Sequence, residues 1–168
     1  MNVEAIPQFF RSRSYRQAIW LAPVAYAVHI LEEIHQFPAW VNTNFAQGFT
    51  TAQFAKNNLI VMSVLIALSL LVTFHPRRWT ALLHFLPLSA GTFHNALFHM
   101  ATTAYLGIYS PGLLSAMLLY LPVFYYITKR GYREGLLPNG LAIVVFVLAG
   151  IAHAGFVYTQ LLTSDFRL

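Results

Sequence analysis

The sequence predicts an all-α, polytopic membrane helix bundle. Five transmembrane helices are expected, multi-pass in the cell membrane, with the N-terminus cytoplasmic and the C-terminus outside. Three observations predict it. Of 168 residues 58% are hydrophobic and only 9% charged, where a soluble domain carries about 25% charged residues. The apolar residues gather in five segments, each near or above the length that crosses a hydrocarbon core of about 30 Å as a helix. Eight of the ten basic residues fall on one side of those segments.

A polar basic leader, 1–16, carries Arg11, Arg13 and Arg16 and precedes a single transmembrane domain, 17–168. The first span, 17–37, continues past Ala25-Tyr26-Ala27, which argues against a signal peptide cleaved there. The outer loop after it, 38–57, is rich in Asn, Gln, Thr and Phe and reads as a short interfacial helix or a lid. The second span, 58–74, is short. Arg77 and Arg78 lead into the third, 79–106, which Pro87 and Gly91 should kink. The fourth, 111–128, starts at a Ser110 N-cap followed by Pro111, and Pro122 should bend it. Lys129, Arg130 and Arg133 follow it, and Pro138-Asn139-Gly140 breaks the chain before the fifth span, 139–162. Trp20, Trp40 and Trp79 stand at span ends, as in an aromatic belt.

With the spans drawn, the carboxylates sort themselves. Glu4, Glu134 and Asp165 fall outside the membrane core, and Glu32 and Glu33 fall within it. A carboxylate at mid-membrane costs about 2.5–3.5 kcal/mol, so two neighbours point to function. At about 100° per residue, Glu33 lies about 40° from His29 and Glu32 about 60° to the other side, one face that must point into the bundle. On the third span Asn95 and His99 are about 40° apart, while His94 is about 140° from His99. Counted along the helices, Glu32, Glu33, Asn95 and His153 reach a common depth of roughly 21–24 Å, which gathers three helices around one site in the outer half of the membrane.

Histidine and carboxylate without cysteine suit a divalent metal: zinc, manganese or iron. His29, Glu33, His99 and His153 are the candidate ligands. Glu32 at i+3 is a candidate general base and Asn95 a second catalytic group. Zinc hydrolases with an H-x-x-E-H helix use similar spacing, with Glu33 here replacing the second His. A bound metal would lower the pKa of its water toward about 7. His35, His75 and His84 read as interfacial. The absence of cysteine excludes a disulfide scaffold and thiolate chemistry, and the scattered basic residues imply no nucleic-acid partner.

The segment H-I-L-E-E-I-H-Q-F-P-A-W (His29 to Trp40), then N-A-L-F-H (Asn95 to His99), then Y-S-P-G (Tyr109 to Gly112), resembles the HXXEE family of small membrane proteins. The resemblance implies a fold type and a site, carried by His29, Glu32, Glu33, Asn95 and His99, and implies no reaction. A looser likeness is to intramembrane CAAX-type proteases, which pair adjacent glutamates with His and Asn on other helices. The basic residue expected after the glutamates is missing here, so that likeness is one of chemistry alone.

The expected function is a metal-dependent, membrane-embedded enzyme, a hydrolase or an oxidoreductase. Its substrate would be a lipid-like or prenyl-like small molecule reached from the bilayer. Two alternatives stand beside it. One is a proton- or ion-coupled transporter. The other is a non-catalytic assembly factor whose polar cluster only holds helices together.

Overall fold

The computed structural model describes residues 13–45 and 48–161; Glu4, Arg11, Asp165 and Arg167 lie outside them. Among the described residues every regular element is helical, which bears out the all-α expectation. A short α1 (Tyr15–Ala18) turns into α2 (Leu21–Glu33), and α3 (Phe37–Asn44) follows with Pro38 in its first turn. The long α4 (Thr51–Phe74) leads to α5 (Arg78–Leu88), a π-helical stretch Ser89–His94 and α6 (Asn95–Leu106), a continuous run. A helical turn Leu113–Ser115, a second π-helical stretch Ala116–Tyr120 and α7 (Leu121–Arg133) form another. The last described element is α8 (Asn139–Leu161).

Several boundaries differ from the sequence reading, each for a local reason. The helix expected from 58 starts at Thr51. Gln53 N–H donates to Thr50 Oγ1 (3.1 Å) while Thr50 N–H donates to Gln53 Oε1 (2.8 Å), a reciprocal cap that adds two turns to α4. The first expected span ends at Glu33, and its last residues open α3, the short helix foreseen for the outer loop. Pro122 has no N–H for the carbonyl of Leu118, and the backbone there widens into the π-helical stretch. After Pro87 the same widening is sustained by side chains: Thr92 Oγ1 donates to the Leu88 carbonyl (2.5 Å) and His94 Nδ1 to that of Ser89 (3.0 Å). Of the described helices, α4 and α8 are by themselves long and apolar enough to cross a membrane.

The core runs along α2. Ala18, Ala22 and Ala25 are buried and small, so neighbouring backbones approach closely, and Tyr26, Phe85, Leu88, Tyr120 and Ile127 fill the space around them. The outer surface is apolar instead: Leu31, Leu59, Phe74, Leu141 and Ile151 are more than half exposed. His84 corrects the interfacial reading, since it is fully buried and hydrogen-bonded to Ser69 Oγ (3.2 Å) between α4 and α5. Trp40 is likewise buried, in a lid where α3 packs Trp40 and Val41 against Phe49, Phe54 and Phe98. Only Trp20 and Trp79 keep the exposure expected of a belt residue.

At the opposite end the basic segments meet. Tyr15 N–H donates to Glu134 Oε1 (2.6 Å), Arg16 reaches the Thr73 carbonyl (3.5 Å) and Arg78 the Gly135 carbonyl (3.1 Å). Tyr15 and Arg16, within the stretch read as a leader, are therefore joined to the bundle.

Thr50→Ala removes one half of the cap and should destabilise the fold by about 1 kcal/mol. Thermal melting of the purified variant checks this, with the neighbouring Thr51→Ala expected to leave the midpoint unchanged.

Candidate metal centre

His29 and Glu33 lie one turn apart on the inner face of α2, as i,i+4 spacing requires, and α6 brings His99 against them. His29 Nε2 is 3.3 Å from Glu33 Oε2, and His99 Nε2 is 3.3 Å from Glu33 Oε1. All three side chains are buried, and one ligand atom from each lies within 4.8 Å of the other two.

The far side of each imidazole is tied to a serine. His29 Nδ1 is 2.8 Å from Ser115 Oγ, and His99 Nδ1 is 2.9 Å from Ser110 Oγ. The Ser115 hydroxyl donates to the Gly112 carbonyl (3.2 Å), so it accepts from His29 Nδ1–H. In that tautomer the lone pair of His29 Nε2 faces Glu33. Ser110 holds His99 from behind in the same way, so two ring nitrogens and a carboxylate converge on one point. Neither Nε2 has another hydrogen-bond partner. Buried acceptors facing one another repel, and a cation among them removes the conflict.

The donor set fits such a cation. Two histidines and one glutamate are the ligands of one class of catalytic zinc site and of the facial triad of non-haem iron. Ligand atoms held about 2.1 Å from a tetrahedral ion stand about 3.4 Å apart, close to both glutamate–imidazole separations. Gly112 closes the group from above. Its φ of +97° is open to glycine, and a Cβ there would lie 2.7 Å from His29 Cε1 and 2.8 Å from His99 Cε1.

Glu32, the candidate general base, does not face this group. It points about 100° around the helix, where it accepts from the N–H groups of Gly112 (3.2 Å), Leu114 (3.2 Å) and Ser115 (2.8 Å) and from the Tyr109 hydroxyl. Burial and that hydrogen bond push the Tyr109 hydroxyl above its usual pKa. Glu32 is thus the anionic cap of the helix that begins at Leu113, delivered from α2. The Ser110 hydroxyl, expected to cap that helix, is engaged by His99 instead.

Asn95 and His153 line the cavity beside the three ligands. It measures about 320 Å³ and is lined by His29 and Glu33 of α2 together with residues of α4 and α8. Asn95 Oδ1 and His153 Nε2 are buried without hydrogen-bond partners. His153, placed among the metal ligands by its depth, stands apart from the converging group, with its ring 6.3 Å from that of Phe98. His94 packs against Gly150 of α8, on the far face of its helix as its angular offset indicated. Ser110, Gly112 and Ser115 were absent from the sequence-derived site. The signal for the first two lay in the Y-S-P-G segment, while no pattern marked Ser115.

Gly112→Ala combines backbone strain with a collision against both imidazoles. Its thermal midpoint should fall well below that of Gly107→Ala. Gly107 also has positive φ (+68°) but has open space around it, so strain alone should cost about 1 kcal/mol.

No curated protein and no solved structure matches the chain. Residues 20–127 match the family described as "Protein of unknown function with HXXEE motif", a stretch that contains all three converging ligands and both serines behind them. With His29, Glu32 and Glu33 in their places and more than half of its length matched, the chain belongs to the HXXEE motif family.

Proposed function

We propose that this protein is a membrane-embedded, metal-dependent enzyme acting on a lipid-like substrate, with His29, Glu33 and His99 holding a divalent zinc or iron ion. One observation carries the proposal: two buried imidazole nitrogens without other hydrogen-bond partners converge on a buried carboxylate, beside an apolar cavity that His29 and Glu33 help to line. Two histidines and a glutamate leave coordination positions open toward that cavity, and a metal there supplies an activated water at neutral pH. Hydrolysis of an uncharged acyl derivative is the chemistry this suits best.

The membrane reading rests on the polarity of the fold. Polar side chains lie inside, and α4 and α8 expose most of their apolar surface, as a lipid-facing helix does and a soluble core helix does not. Joined across their π-helical stretches, the runs 78–106 and 113–133 also reach bilayer length, and with 15–33 they make five spans. On this reading the basic segments gathered at one end face the cytoplasm, and the metal centre lies in the outer half of the membrane. Ile60, Val64 and Phe156 line the cavity and are also exposed on the apolar exterior, so a chain reaches the site sideways from lipid.

Purified protein should contain about one metal ion per chain by elemental analysis, and Glu33→Gln should lose it while remaining folded. A metal-free wild type, obtained without chelators, sinks the proposal. Ser110→Ala and Ser115→Ala, which release the imidazoles without removing a ligand, should weaken metal affinity about 10–100-fold in a competition titration.

A further inference from the structure

The charge balance of the cavity specifies the head of the molecule it takes. Among the described residues that line it there is no Lys or Arg. Lys56, close by on α4, is exposed and outside the lining. A phosphate or diphosphate head would leave water with no cation to meet it beyond the metal, and burying such an anion is costly. The apolar wall of Phe37, Val61, Leu86 and Phe98 suits a single hydrocarbon chain.

The polar atoms left without partners are more specific. Asn95 lines the cavity, and its Oδ1, an acceptor, is buried there without a partner. An unmatched buried acceptor calls for an N–H or O–H on the ligand. The open positions of the metal call for an oxygen in the same head group, and the lining without Lys or Arg calls for an uncharged one. A secondary amide carries both: a carbonyl oxygen and, on the adjacent atom, an N–H. An ester offers the oxygen and lacks the donor.

Resting on the metal-enzyme reading above, we infer that the substrate is an N-acyl amide lipid, one apolar chain with an uncharged amide head, its carbonyl toward His29, Glu33 and His99 and its N–H toward Asn95. Hydrolysis of that amide consumes one water. The water oxygen bonds to the acyl carbon, the C–N bond breaks, and the nitrogen leaves with a proton from the water, giving a fatty acid and an amine with no change in oxidation state.

The test uses the full chain in lipid nanodiscs, its metal content measured in each sample. Photoactivatable acyl chains of matched length carry an N-ethyl amide, an ethyl ester or a phosphate head. Labelling of α4 and α8 peptides should favour the amide about tenfold over the ester, the worth of one buried hydrogen bond, and more over the phosphate. Asn95→Leu should erase the amide–ester difference with metal retained. Ile60→Trp, a change at an exposed position in the cavity mouth, should reduce labelling by all three probes with metal also retained. Equal labelling of amide and ester, or a preference for phosphate, in metal-loaded protein overturns the inference and leaves the metal centre standing. Protein that carries no metal overturns the metal-enzyme reading and this inference with it.

Discussion

A carboxylate buried between two imidazole nitrogens is the constraint around which the fold is arranged. Glu33 reaches His29 on its own helix and His99 on α6, so the meeting of α2 and α6 is fixed wherever that contact is kept. Both imidazoles are then held from behind by serines of the segment 110–115, which brings a third part of the chain into register. Pairs of buried acceptors are unfavourable unless something positive lies between them, and the surrounding rings of Tyr120, Phe37 and Phe98 exclude the water that would otherwise soften the conflict.

The same geometry explains why two glutamates stand side by side. A helix turns about 100° per residue, so neighbours cannot share a target. Glu33 faces the imidazoles, while Glu32 faces the N-terminus of the helix beginning at Leu113 and gathers its orphan N–H groups. One glutamate joins the two imidazoles and the other anchors the loop whose serines hold them. H-x-x-E-E thus places its first and fifth residues in the converging group and its fourth on the backbone of another segment.

Much of this was legible beforehand, and the limits were physical. Helical periodicity put His29 with Glu33 and Asn95 with His99, because angular position within a helix depends only on residue count. Depth was less informative. The helix α2 is shorter than the apolar run suggested, and π-helical turns displace residues along the axis. His153, at the matching depth, ended on the cavity wall. The partners of Glu32 lie on another helix and leave no trace in local spacing. The Thr50–Gln53 box stands in T-T-A-Q, but the residues that follow it are polar and do not mark a helix by hydropathy. Ser115 sits in an ordinary apolar run, and nothing short of the packed structure assigns it to His29.

The position of the two serines in the chain has a consequence for assembly. All three ligands have been made once residue 99 is synthesised, yet at that stage both imidazoles can still rotate and choose either tautomer. Ser110, Gly112 and Ser115 arrive later, in the segment that Glu32 secures. A nascent chain therefore passes through a stage in which its donor groups are complete but unoriented, and the centre is finished only when the following helix docks. Docking of that helix becomes a condition for the finished arrangement, so a chain that misplaces it would carry all three donor side chains and leave both imidazoles unheld.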